Sequence, residues 1–231
     1  ARVSTQASEA QETTRQESAK TPRRRVRSKL EMKALLLFSG GMDSTFLLHE
    51  LTKEKVGTGI RQRLNPVKDV ICLSFIYGQP HADKELTAAK AYTEKLGVKH
   101  LFEKLDFPFL SQDMAGDNPV VPNRNAIFIS VAAAIAQVNE CAVIYIGCTQ
   151  SDFDTFPDCR PAFLRSIDEA MTYAVNIRVV APLVGQTKSD IVKLGKQYQI
   201  DWGETWSCYA GADEPCGKCA ACIERTNALG D

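Results

Sequence analysis

The stretch Ala34 to Glu50, ALLLFSGGMDSTFLLHE, constrains the fold of this chain more than any other. Ala34 to Phe38 is apolar at every position, long enough for one buried parallel strand and far too short for a membrane span. It stops at Ser39-Gly40-Gly41, where two glycines permit a sharp turn and let bare backbone N–H groups approach a ligand. Asp43, Ser44 and Thr45 suit a helix start, and Phe46, Leu47, Leu48 and Leu51 give that helix an apolar face. Strand, glycine turn and hydroxyl-rich helix start together make an anion cradle, with donors and the positive helix end aimed at one point. No Gly-Lys-Ser/Thr follows the glycines, so this is not a Walker A loop. An ordinary βα turn also tolerates two glycines; the complete run Ser39-Gly40-Gly41-Met42-Asp43-Ser44 at a strand-to-helix junction favours the cradle.

Further along, strands and helices alternate, which predicts an α/β fold with a doubly wound, mostly parallel sheet. The pattern gives strands over 70–76, 99–105, 142–147 and 177–180, and helices over 82–96, from the Pro122-Asn123-Arg124-Asn125 opening to about Val138, and over 162–174. In such a sheet ligands sit beyond the carboxyl ends of the strands. The exit of the second strand, Phe75-Ile76-Tyr77-Gly78-Gln79-Pro80-His81, lies there, with His81 either at the site or capping the next helix. Arg124, at the mouth of the helix opened by Pro122-Asn123, is a candidate phosphate or carboxylate contact, a surface position being the alternative. The loop after the fourth strand, from Cys148 to Pro161, gathers Asp152, Asp154, Asp158 and Arg160 among aromatics, as a pocket for a base-like ligand would. Thr187 reads as an N-cap with Asp190 completing a capping box. Lys188, in the first turn of that helix, is electrostatically misplaced unless it faces a bound anion.

Charge and cysteine content narrow the class. The 231 residues carry 28 basic and 28 acidic side chains, and residues 1 to 31 take eight of the former and four of the latter, so the remainder is mildly acidic. That disfavours a broad nucleic-acid-binding surface; direct binding would rest on Arg23, Arg24, Arg25, Arg27 and Lys29, a cluster of the kind that is usually solvated. Residues 1–31 hold no aromatic side chain and read as a flexible leader. There is no apolar signal segment and no membrane-length stretch. Four of the eight cysteines, Cys208, Cys216, Cys219 and Cys222, crowd the C-terminus at C-x7-C-x2-C-x2-C spacing. Such spacing, with Gly217 in the knuckle, closes a tetrahedral structural zinc site in a reducing cytoplasm; disulfides or an iron–sulfur cluster are the alternatives.

The run SGGMDS resembles the SGGxDS signature of the PP-loop ATP pyrophosphatases, which share the adenine nucleotide α-hydrolase-like fold. Together with FIYGQPH, VPNRN, DFDTFPDCRPAF, PLVGQTKSDIVKLG, TWSCY and PCGKCAAC, in that order, it is similar to the QueC family of 7-cyano-7-deazaguanine synthases over Ala34 to about Leu229. The resemblance implies ATP-dependent conversion of 7-carboxy-7-deazaguanine and ammonia to the nitrile, through an adenylated acid and then an adenylated amide. It implies pyrophosphate binding by Ser39, Gly40, Gly41, Met42, Asp43, Ser44 and Thr45, with Asp43 also near Mg²⁺. Lys188 and Arg124 would steady phosphate charge, and Tyr77, Gln79, His81, Asp152, Asp158 and Arg160 would shape the deazaguanine site. It further implies a zinc-bound tail at 206–231 on a catalytic domain at 32–205, and a homodimer. Three features depart from the family pattern: the 106–121 connection is short, and Asn123 and Thr155 stand where glycine is usual. Relatives that stop at the amide, or attach the deazaguanine to a protein amine, give the alternative activity.

Overall fold

The computed structural model describes residues 32–52, 60, 64, 67–106 and 120–230; the leader at 1–31 and most of the connections over 53–68 and 106–121 lie outside them. Five parallel strands form one sheet: β1 (Lys33–Leu37), β2 (Asp69–Ile76), β3 (Lys99–Lys104), β4 (Cys141–Tyr145) and β5 (Arg178–Val180), in the order β3-β2-β1-β4-β5. From β1 the chain runs outward through β2 to β3, then returns to the other side of β1 for β4 and β5. The order therefore reverses between β1 and β4, and a crevice opens beyond their carboxyl ends.

Period-2 alternation in β1 assigns the layers. Ala34, Leu36 and Phe38 face one core, shared with α1 (Met42–Thr52), α2 (Ala82–Leu96) and α5 (Lys188–Gly195). Leu35 and Leu37 face the other, shared with α3 (Arg124–Val138) and α4 (Pro161–Val175). Because β1 is covered on both faces, every residue from Ala34 to Leu37 must be apolar, and each fully buried leucine contributes about 1.5–3 kcal/mol. On α3, Ala132, Ala133 and Ala136 are buried, small residues that let the helix lie close on the sheet.

Local chemistry sets the boundaries. Helix α2 ends at Gly97 in the left-handed conformation, and α4 begins with Pro161 in its first turn and ends at Asn176, also left-handed. The capping box at Thr187 is present: the Thr187 side chain accepts from the Asp190 N–H, and the Asp190 carboxylate accepts from the Thr187 N–H at 3.0 Å. Asn123, where glycine was the family's residue, has φ 56°, a left-handed conformation that asparagine tolerates better than most side chains. Helix α6 (Ala220–Leu229) closes the chain and packs against α5.

Candidate active site

The loop after β1 is built by its glycines and closed by the far end of the chain. Gly40 has φ +75°, and a Cβ there would lie 2.7 Å from the Ala89 nitrogen and 2.9 Å from the Glu85 carbonyl oxygen, so only glycine lets the loop sit against α2. The Trp206 N–H donates to the Gly40 carbonyl at 3.1 Å. Within the loop the Ser44 hydroxyl donates to the Gly41 carbonyl at 3.2 Å, and the Ser39 and Ser44 hydroxyl oxygens are 3.3 Å apart. Upstream, the Ser74 hydroxyl donates to the Phe38 carbonyl and therefore accepts from His100 Nε2–H at 2.7 Å. Burial holds the His100 pKa down to about 4, so the ring that anchors the loop's entrance is neutral.

A cavity of about 610 Å³ lies beyond the strand ends, within the roughly 300–1,000 Å³ of small-molecule sites. Of the sequence-predicted residues, Ser39, Gly41, Met42, Asp43, Ser44, Tyr77, Gln79, His81, Arg124, Asp152 and Lys188 line it. Gly40 and Thr45 support the loop from behind, Thr45 being fully buried. Asp158 and Arg160 are not among the lining residues: the Asp158 carboxylate accepts from the Asn125 N–H at 2.8 Å, capping α3, and Arg160 Nε donates to the Phe153 carbonyl at 2.7 Å. His81 occupies the N-cap position of α2 without a side-chain cap bond; its Nδ1 is instead 3.1 Å from the Tyr209 carbonyl oxygen.

One end of the cavity is strongly acidic. Lys188 Nζ lies 3.0 Å from Asp43 Oδ2 and 3.2 Å from Glu224 Oε2, with Asp152 near enough to raise the pKa of both Lys188 and Asp43. Burial is the largest influence on each, raising the Asp43 pKa and opposing the Lys188 charge; for the lysine, Asp43, Glu224 and Asp152 outweigh it, and its pKa ends above the ordinary value. The lysine is therefore charged, and Asp43 holds its proton more tightly than an ordinary aspartate. Asp43 Oδ1 is buried without a hydrogen-bond partner among the described residues, so its acceptor capacity is free for a cation. At the other end, the Arg124 guanidinium stacks 5.8 Å from the Phe128 ring and donates to the Tyr77 hydroxyl at 3.0 Å. Burial works against its charge, but Tyr77, Glu85 and Tyr209 more than offset this and raise its pKa. Gln79 spends its amide on the strand exit, accepting from the Tyr77 N–H at 2.8 Å and donating to the Phe75 carbonyl at 3.1 Å and to Glu85 at 3.2 Å.

Glu85 and Glu224 line the cavity and were not foreseen. Glu85 stands one helical turn after His81, a spacing that was available in the sequence; nothing local to Glu224 signals that the last helix crosses Lys188.

The sulfur atoms of Cys208, Cys216, Cys219 and Cys222 all lie within 4.8 Å of one another, against about 3.8 Å between corners of a Zn–S tetrahedron with 2.3 Å bonds. Backbone N–H groups of Ala210 and Cys216 point at the Cys208 sulfur, at 3.4 and 3.3 Å, and that of Cys219 at the Cys216 sulfur, at 3.4 Å. Donors aimed at sulfur favour thiolates, and Gly217 has the positive φ of a knuckle, 71°. The donor set therefore fits a closed four-sulfur metal site.

Among the described residues no helix is long and apolar enough to cross a membrane. Residues 33–117 and 110–231 match the family model for the queuosine biosynthesis protein QueC. The chain is 36% identical to the 7-cyano-7-deazaguanine synthase of Porphyromonas gingivalis over 220 residues, covering 87% of this chain and 94% of that one. It is 35% identical to the enzyme of the same name from Hahella chejuensis over 218 residues, covering 85% and 88% respectively. The solved U34-tRNA thiolase NcsA from Methanococcus maripaludis, with its 4Fe-4S cluster, superposes with a TM-score of 0.52 at 14% identity over 87% of this chain and 65% of that one, a likeness of fold alone.

Proposed function

The chain belongs to the QueC family, and on that footing we propose that it converts 7-carboxy-7-deazaguanine and ammonia to 7-cyano-7-deazaguanine at the expense of two ATP. The observation that carries the reading is the glycine cradle at Ser39–Ser44 facing the buried Lys188, in a chain that matches synthases along nearly its whole length.

A carboxylate cannot expel oxide, so the acid oxygen attacks the α-phosphorus of ATP and pyrophosphate leaves. The loop N–H groups, the Ser39 and Ser44 hydroxyls and Lys188 receive the charge that develops on the departing pyrophosphate. Ammonia then displaces AMP and gives the amide. In a second round the amide oxygen is adenylated, and loss of AMP with the amide's remaining N–H protons leaves the nitrile. Asp43 Oδ1 suits a Mg²⁺ ion, which when bound screens the phosphate charges. With that carboxylate engaged, Glu224 remains as the lysine's partner and keeps its ammonium directed at the cradle. Arg124 offers a fixed cation to substrate anions. No protein nucleophile is required; Cys159 is buried, its sulfur accepting from Asn125 Nδ2 at 3.2 Å.

The four cysteines would hold zinc, which when bound cross-links the tail and contributes folding energy without offering an open coordination position. Family membership also supports a homodimer acting in the cytoplasm, the first of which sedimentation reads directly.

The test is product identification. Pure protein given the acid, ammonia, ATP and Mg²⁺ should release AMP and yield the nitrile by mass spectrometry. Amide as the end product, or deazaguanine mass appearing on a partner protein, would select the alternative activity; no AMP at all would remove both.

A further inference from the structure

Among the described residues Glu85 is the one carboxylate in the aromatic half of the cavity, and the adenylation steps give it no task. It projects from the first turns of α2 into the wall that also carries Tyr77, Phe128 and Arg124. Within that wall it is incompletely matched: Oε2 accepts from Gln79 Nε2 at 3.2 Å, while Oε1 lies 3.7 Å from His81 Nε2, beyond hydrogen-bond distance. Burial pushes its pKa up, and His81, Gln79 and Arg124 pull it back; the side chain is 22% exposed, so it meets the cavity with acceptor capacity unspent. Arg124 is complementary: of its five N–H groups, one is engaged, with Tyr77, among the described residues. Phe75 and Phe128 stack at 4.4 Å, and Phe128 meets Tyr77 edge-on at 5.2 Å, providing a ring platform beside the two charges.

A wall that offers donors from a guanidinium and then acceptors from a carboxylate matches one edge of 7-carboxy-7-deazaguanine. Read along that edge, the ligand presents the 7-carboxylate and O6, both acceptors, followed by N1–H and the 2-amino group, both donors. Adenine presents a donor followed by an acceptor nitrogen, and would set a lone pair against one Glu85 oxygen. We propose that Glu85 reads the N1–H and 2-amino groups of the deazaguanine while Arg124, beside it, takes O6 and the 7-carboxylate. This assignment rests on the synthase reading above and makes Glu85 the residue that separates the guanine-type substrate from its analogues.

The experiment compares 7-carboxy-7-deazaguanine with the analogue lacking only the 2-amino group, in wild type and Glu85→Gln, by calorimetric binding and by AMP release. Wild type should favour the amino compound by about 100-fold or more, since a site built to hydrogen-bond a substrate donor penalises its loss. In Glu85→Gln, KM for the amino compound should rise by about 10–100-fold, the worth of hydrogen bonds to a charged group, with the preference falling to within about threefold and the KM for ATP within about twofold of wild type. A preference that survives the substitution, or a defect confined to ATP, overturns the assignment. The wild-type comparison needs no variant to fold: equal binding of the two compounds is sufficient to reject the proposal. Wild-type protein that binds with the stated preference yet releases no AMP would retain Glu85 and remove the synthase reading, while equal use of both compounds would do the reverse.

Discussion

Asp43 carries two burdens, one electrostatic and one functional. Its carboxylate is desolvated, one oxygen is orphaned, and Asp152 and Glu224 repel it, so the fold gains little from its charge. Asp43→Asn should therefore leave the unfolding temperature unchanged or raise it, while AMP release falls by about 100-fold or more, as for loss of a charge-stabilising group. Calorimetric unfolding beside a kinetic assay reads both; a variant that loses stability in proportion to activity contradicts this account. His100 makes a prediction of its own. Its pKa falls from 6.5 to about 4 on folding, chiefly by burial, so the unfolded chain takes up the proton first. The contribution of the neutral ring is complete above pH about 6.5 and is lost progressively as pH falls towards 4. Denaturant titrations over that window should show a steeper acid loss in wild type than in His100→Asn. At this scale the sequence was legible where a residue's neighbours in the chain betray it, as for Ser39–Ser44 and Lys188. Glu224 and His100 were hidden because their partners, Lys188 and Ser74, reach them only through the tertiary fold.

Elements were easier to read than residues, because hydrophobic period and capping chemistry are local. The helix read over 82–96 has those bounds, with Gly97 as its stop, and each predicted strand is found within a residue or two. His81 shows the limit: its position at the head of α2 was readable, but its ring is drawn to Tyr209, a contact no window of local sequence contains. Two substitutions test the element-scale physics. Leu36→Ala, in a strand covered on both faces, should destabilise by about 2–5 kcal/mol in chemical denaturation. At Asn123, whose φ is 56°, glycine should be tolerated within a few tenths of a kcal/mol, whereas valine should cost about 1–2 kcal/mol. Equal stability of the two Asn123 variants would show that the left-handed turn is not held in solution.

The whole molecule is a sheet whose ligand end is finished by its tail. Trp206 bonds to Gly40, Tyr209 meets His81, and Glu224 reaches Lys188, so the four-cysteine cluster stands behind three walls of the cavity. A Cβ at Gly211 would lie 2.1 Å from the Pro80 carbonyl oxygen, which records how closely the tail is pressed to α2. Stripping the metal with a chelator strong enough for thiolate-bound zinc should lower ATP affinity by about tenfold or more, measured by calorimetry, while far-ultraviolet circular dichroism of the sheet and helices changes little. Unchanged nucleotide binding in metal-free protein would separate the tail from the site.

The bond between Trp206 and Gly40 also has a meaning in time. During synthesis on the ribosome, the cradle's residues emerge before the segment that shuts them, and the whole stretch between Gly40 and Trp206 is made in the interval. Until Trp206 has been made, the Gly40 carbonyl lacks this partner, so the cradle is completed only after the whole stretch between the two residues has been synthesised.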